Sequence, residues 1–393
     1  FIEACAIGAT HAGVASREEE SMAEIACESR DALRELIALL QQVDQRFLSS
    51  EWNLMSTADV AEATRAVMHV MQGGLALQFE RAPERPAFRR IVTPTRKFTG
   101  DNADAIYYDA PISAKYVYRV RGKMAGAVYV SITIEAGVED GGLRGRTAGV
   151  INDTQLDIAA DGSFEIALGG PERARNWLPL PDDAYALTTR HYFEEKHCVA
   201  ADPTRFIPLT IEVVGGSPAP AAPSDASVAA GIRRVLGFVR DRTIGMPPMA
   251  NREQPAFVSK VPNQFPKPAK PGAMGLAAFD AAYSMAPYLI APDQALVITA
   301  RWPKCRAANV DLWTRHQMTY DYANRQVSLN RAQTQYEADG SFRVVIAHRD
   351  PGLPNWLDSE GRPFGVVFWR YMLPEGEIET PQASVVKLGD IAR

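Results

Sequence analysis

Between Arg30 and Phe47 the apolar residues Leu33, Leu36, Leu39, Leu40, Val43 and Phe47 recur at three- and four-residue steps, the spacing of one helix face. A second helix is predicted through Val60, Ala63, Val67 and Met71, with Ser56 and Asp59 as competing caps and Gly73-Gly74 as its expected end. Beyond Pro83 the period changes. From Lys115 to Val214, β-branched and aromatic residues alternate with turn residues, as in Tyr116-Val117-Tyr118-Arg119-Val120-Arg121-Gly122, which predicts a sheet region. Gly215 to Pro223 reads as a linker, because its prolines remove backbone donors and its small residues have nothing to bury. Val228 to Val239 is a short amphipathic helix. Met246 to Pro271 is too rich in proline for a helix or a central strand, and is expected to be an arm over a neighbouring domain or subunit. Strand character resumes at Ala295 and continues to Leu388. The predicted division is a helical unit over 1–82, a first β-sandwich over 83–214, a linker, helix and arm over 215–272, and a second β-sandwich over 273–393.

The two β-rich regions repeat one another. Ala160-Asp161-Gly162-Ser163-Phe164 returns as Ala338-Asp339-Gly340-Ser341-Phe342, an offset of 178, and Asn152 with Gln155 returns as Asn330 with Gln333 at the same offset. Asn176-Trp177-Leu178 returns as Asn355-Trp356-Leu357 at 179, and Arg190 as Arg370 at 180. Two such units with many short strands predict a mainly β protein, with a helical N-terminal unit and two related jelly-roll-like β-sandwiches in tandem. Features present in both copies are assigned to the shared fold. Asp-Gly-Ser is a hairpin turn, Asn-Trp-Leu plugs the end of each sandwich, and Arg190 and Arg370 are buried ion-pair partners. Differences between the copies are the places to look for function.

Composition narrows the classes. Of 393 residues, 46% are hydrophobic and 23% charged, with 42 Lys plus Arg against 47 Asp plus Glu and a net charge of −5, an ordinary globular balance without the basic field that nucleic acid requires. No window approaches a membrane span, the most apolar stretch, Ala273 to Pro292, being broken by Asp280 and two prolines. Phe1 to Ala15 has no basic stretch leading into an apolar core, so no signal peptide is expected; the compartment is read as cytoplasmic, with periplasmic or secreted left open to processing. Cys5, Cys27, Cys198 and Cys305 include no CxxC pair and are read as structural thiols.

The second copy has His348-Arg349-Asp350 where the first has Gly170-Pro171-Glu172. Strand alternation sets His348 on the face of Phe342, Val344 and Ile346, so an imidazole ends an apolar stripe at the expected mouth of a pocket. His348 is the candidate proton donor or acceptor, Asp350 its orienter, and Arg349 or Arg315 the group for a developing oxyanion. His316 could converge from a second strand beside Trp313 and Tyr320. Among metal-capable side chains, the His-x5-His spacing of His191 and His197 suits neither one helix face nor a paired strand, so no metal site is assigned and a metal is left open. No nucleotide-binding or familiar hydrolase signature occurs, so no organic cofactor is expected.

Arg96-Lys97-Phe98-Thr99-Gly100-Asp101-Asn102-Ala103-Asp104-Ala105-Ile106-Tyr107-Tyr108, with Tyr118-Arg119-Val120-Arg121-Gly122 after it, resembles bacterial proteins of the domain-of-unknown-function 1214 family. Val327 to Arg331, Ala338 to Phe342, His348 to Gly352 and Asn355 to Asp358 look like the family's most recognisable block, and Asn102, Asp104 and Tyr107 are similar to a motif of a 1254-type domain. The resemblance implies a β-sandwich fold and no particular reaction. Asp101, Asn102, Asp104 and Tyr107 form a dense polar cluster, expected where the helical unit meets a sandwich, and with Trp313, Tyr320 and Trp356 they are the candidate ligand-binding residues.

Two function classes follow. One is an enzyme performing acid and base chemistry on an oxygenated small molecule at the second sandwich; the other is a non-catalytic protein binding a carbohydrate or hydrophobic ligand. Convergence of His348, Asp350 and a cation in a pocket favours the first, and a pocket of mostly aromatic faces favours the second. A homo-oligomer held through the proline-rich arm is a further expectation.

Overall fold

The computed structural model describes residues 25–142, 145–248, 251–272 and 278–391. Cys5, the stretch Phe1 to Ala15 and the first residues of the apolar run from Ala273 lie outside them. Helix α1 (Glu28–Gln42) buries Leu39 of the predicted apolar face, with Leu36 and Leu40 half-buried, but leaves Leu33 exposed, while Val43 and Phe47 are buried on a π-helical turn after it. Helix α2 (Thr57–Gly74) uses both predicted caps. Ser56 Oγ accepts the Asp59 N–H at 3.1 Å, while Asp59 Oδ2 accepts the Met55 N–H at 3.0 Å. Gly73-Gly74 does not end this helix, which runs on through a π-helical turn, Leu75–Phe79. The two glycines instead admit the third helix, α3 (Asp225–Asp241): a Cβ at either would lie 3.3 Å from the Phe238 ring.

The first sandwich comprises β1 (Arg89–Arg90), β2 (Ala105–Pro111), β3 (Tyr118–Lys123), β4 (Tyr129–Ala136), β5 (Arg146–Asn152), β6 (Ser163–Leu168), β7 (Trp177–Leu178), β8 (Ala184–Tyr192) and β9 (Leu209–Val213). The second comprises β10 (Ala281–Leu289), β11 (Gln294–Ala300), β12 (Ala307–Trp313), β13 (Ser328–Asn330), β14 (Phe342–Ala347), β15 (Trp356–Asp358), β16 (Phe364–Met372) and β17 (Gln382–Lys387). Sheet orders are β1-β2-β8-β4-β5 with β7-β6-β3-β9 in the first, and β10-β16-β12-β13 with β15-β14-β11-β17 in the second. Apart from the extra edge strand β1, the two orders are the same strand for strand. The repeated motifs do the same work in both: Asp161 Oδ1 accepts from the Ser163 N–H and Oγ, Asp339 Oδ1 from those of Ser341, and Gly162 and Gly340 have φ of 79° and 81°.

The sheets carrying β2-β8-β4-β5 and β10-β16-β12-β13 are buried on both faces. Ile106, Tyr108, Ile132 and Leu187 fill the first sandwich and Ala308, Val310, Val367 and Trp369 the second, while the alternate residues Tyr107, Tyr192, Tyr283, Trp313 and Phe368 meet in a core shared with the helices. The sandwiches therefore pack central sheet to central sheet. Their contacts are reciprocal: Asn330 of the second donates to Asp104 Oδ1 of the first at 2.9 Å, and Asn152 of the first donates to Asp280 Oδ2 of the second at 2.9 Å. That exchange of partners is the signature of a two-fold relation, here within one chain.

The proline-rich arm lies on its own chain. Residues 251–272 follow the free edge of β10, with the Met285 N–H donating to the Phe257 carbonyl, the Ala269 and Tyr283 backbones bonding each other, and Phe257 buried against Tyr283 and Phe368. An edge strand is thereby covered intramolecularly.

Candidate functional site

A cavity of about 490 Å³ lies where the two central sheets, the helical unit and the arm meet. Strand register sets its walls side by side in corresponding positions. Tyr107 beside Arg190 on the first sheet matches Tyr283 beside Arg370 on the second. The other wall positions differ: Asp109, Glu135 and Thr188 on the first sheet stand where Met285, Trp313 and Phe368 stand on the second. One wall is polar and the other apolar and aromatic. Phe98 and Phe238 close the helical side and Phe257 the arm side.

The shared arginines are tied into the protein. Arg370 donates to Asp311 Oδ2 at 2.9 Å and to the Gly100 and Asp101 carbonyls, and lies 4.5 Å from the Phe368 ring centre. Arg190 donates to Thr133 Oγ1 at 2.8 Å and lies 3.9 Å from Glu135. At the base of the site, Asn309 Nδ2 donates to Asn102, Asp104 and Asp311, and Asn330 donates to Asp104. Burial, then the neighbouring Asp311 carboxylate, pushes Asp104 up to about 8, and burial pushes Asp311 up to about 6 against the pull of Arg370.

The predicted residues scatter across several environments. Tyr107 and Trp313 line the cavity, the indole N–H of Trp313 donating to the Asp101 carbonyl at 3.1 Å. Asp101 also borders it, although its carboxylate is used by the Thr319 N–H and hydroxyl. Asn102 and Asp104 are buried between the sandwiches, so the polar cluster joins sandwich to sandwich and not helices to sandwich as expected. Tyr320 shares a hydroxyl hydrogen bond of 2.8 Å with Tyr288 inside the second sandwich. Trp356 is half-buried, its N–H donating to the Ala347 carbonyl, and it lines neither this cavity nor a neighbouring one, while Asn355 beside it bonds the Gln335 and Arg343 carbonyls.

The proposed proton-transfer group does not form a pocket. His348 follows the last residue of β14, leaves the apolar stripe and bonds Ser359 Oγ through Nδ1 at 2.8 Å. Asp350 accepts the Gly352 N–H at 2.8 Å and so opens a turn, with no bond to the histidine, and Arg349 is exposed. None of the three lines the cavity between the sheets. His316 and Arg315 border a second cavity of about 340 Å³ between α2, the arm and the second sandwich. Burial takes His316 down to about 4, and Arg315 is held by Asp59 at 2.6 Å and by the Asn53 carbonyl. His191 is enclosed in the first sandwich, its pKa lowered by burial to about 3, while His197 is exposed. Among the described residues no group of three His, Cys, Asp or Glu side chains is placed to hold a metal ion.

Sequence reasoning missed Asp109, Glu135, Thr188, Met285 and Phe368. Part of the signal was present: Thr188 and Phe368 fall at the offset of 180 that relates Arg190 to Arg370, and Glu135 and Trp313 at 178, whereas Asp109 and Met285, like Tyr107 and Tyr283, are 176 apart, outside the offsets the motifs revealed.

A family model described as a protein of unknown function, DUF1214, matches residues 111–196 and 308–375, one segment within each sandwich. The first segment begins after Asn102, Asp104 and Tyr107. No curated protein matches the chain. An uncharacterized protein from Burkholderia cenocepacia of known structure is 26% identical, covers 92% of this chain and 98% of its own, and superposes with a TM-score of 0.80. A protein from Vibrio parahaemolyticus is 12% identical, covers 82% of this chain and 100% of its own, and reaches a TM-score of 0.47, too distant to add to the comparison.

Proposed function

The chain belongs to the DUF1214 family through its two matched segments, and because that membership fixes a scaffold without naming a ligand, we propose from the cavity itself that this is a small-molecule-binding protein. The observation that carries the reading is the pair of unlike walls, one polar and one aromatic, facing each other across an interior volume of about 490 Å³. Of the two classes weighed on the sequence, binding is supported by the aromatic lining; the acid and base reading through His348 lacks converging groups. The ligand is a compact, largely apolar molecule with a polar edge. No described helix is long and apolar enough to cross a membrane. The described cysteines, Cys27, Cys198 and Cys305, are free, which supports a reducing, cytoplasmic setting.

Titration with the neutral fluorophore N-phenyl-1-naphthylamine tests the reading. Thr188→Phe copies into the polar wall the residue that the aromatic wall already carries, and is expected to weaken probe binding by about tenfold. His348→Gln is expected to bind as the wild type does. Equal probe binding by wild type and Thr188→Phe would overturn the proposal.

A further inference from the structure

The two cavities share a boundary. Thr99, Arg242, Met246, Arg252 and Gln317 line both of them. The smaller cavity is walled by apolar side chains including Trp52, Val70, Met318 and Phe364, and no Asp or Glu is among its described lining residues. Besides the boundary arginines its cations are Lys260 and Arg315, and Arg315 is already neutralised by Asp59. Neither boundary arginine makes an ion pair among the described residues, although Asp241, beside Arg242 in the chain, raises that residue's pKa.

Arg242 follows the last turn of α3 and is only 7% exposed. One of its nitrogens donates to the Phe238 carbonyl at 3.2 Å, its guanidinium stacks 3.5 Å from the Phe238 ring centre and 4.9 Å from that of Phe98, and its Nε is buried without a hydrogen-bond partner. Arg252, on the arm, makes no hydrogen bond or ion pair among the described residues, and its Nε is likewise buried and unpartnered. Carboxylates elsewhere in the larger cavity have their own partners: Arg81 binds Asp109 and Glu139, and Glu135 lies by Arg190. Glu253, next to Arg252 in the chain, also lines the larger cavity and is exposed.

A guanidinium withdrawn from water without a counter-charge is costly, and an incoming oxyanion relieves that cost through charge-assisted hydrogen bonds. We propose that the joined cavities take an amphipathic organic anion, its apolar body against the aromatic wall and its carboxylate at the boundary between Arg242 and Arg252. This inference rests on the ligand-binding reading above and adds the chemical class of the ligand. Burial lowers the pKa of both arginines, at Arg242 against the opposing pull of Asp241 and Tyr185.

The test is displacement of N-phenyl-1-naphthylamine at pH 7.5 by two competitors of matched chain, dodecanoate and dodecan-1-ol. Wild-type protein is expected to release the probe at dodecanoate concentrations about tenfold below those of the alcohol. Arg252→Gln, at a residue that makes no internal bond, is expected to abolish that preference while leaving displacement by the alcohol unchanged. Arg242→Gln is expected to do the same, and because Arg242 also caps α3 its melting temperature is measured alongside. If wild type releases the probe equally to acid and alcohol, or if Arg252→Gln keeps the full preference, the anion inference is overturned while the cavity reading stands. If the wild type does not bind the probe, both are overturned.

Discussion

Asp104 shows what one side chain does when the fold withdraws it from water. It accepts hydrogen bonds from Asn309 and Asn330, stands near the Asp311 carboxylate and is 2% exposed, and its pKa rises from 3.8 to about 8. An acid whose folded-state pKa lies above its unfolded value takes up a proton on folding. Its contribution to stability is complete below about pH 4 and is lost as pH rises through about 8. Stability should therefore fall between pH 5 and pH 8 by at least about 1 kcal/mol from this site. In Asp104→Asn that slope should flatten, as measured by urea unfolding across the pH series; an unchanged slope would assign the effect elsewhere. The sequence made this cluster visible as an unusual density of Asp and Asn. It did not reveal the partners, because Asn309 and Asp311 lie some two hundred residues away and only the packing of the two sheets brings them together.

At the scale of the element, the repeat made the sandwiches readable and its two asparagines hold them shut. Asn176 and Asn355 have φ of 51° and 56°, in the left-handed region, and each side chain bonds three backbone groups: Asn176 those of Asp157 and Glu165, Asn355 those of Gln335 and Arg343. Asn355→Ala should lose the clamp and keep the backbone strain, at a cost of about 2 to 3 kcal/mol. Asn355→Gly should cost less, because glycine adopts the same φ freely. Denaturant melts that rank the two variants the other way would sink this account. Gly73-Gly74 misled for a related reason: a glycine near the end of an apolar pattern reads as a stop, and nothing local reveals that Phe238 needs the space.

For the whole molecule, the sheet-to-sheet packing predicts one unfolding event. Asn152 with Asp280 and Asn330 with Asp104 bind each sandwich to the other, and Arg331 with Glu194 adds an ion pair of 2.6 Å across the same interface. A calorimetric scan should therefore give a single transition, which Asn330→Ala lowers without splitting. Two resolved transitions in the wild type would show that the sandwiches melt apart. None of this packing was legible from local pattern. Both faces of each central sheet are buried, so the strands carry no clean alternation of apolar and polar residues to say which face meets which partner.

The intramolecular two-fold also governs how the cavity can change. In a symmetric pair of separate chains, a substitution on one wall is copied onto the opposite wall, and the enclosed space must accept both changes at once. One chain carrying both halves has no such constraint. Thr188 and Phe368, or Glu135 and Trp313, are independent choices at one structural address. A molecule held between them meets two different surfaces and can be told apart from its own inverted pose.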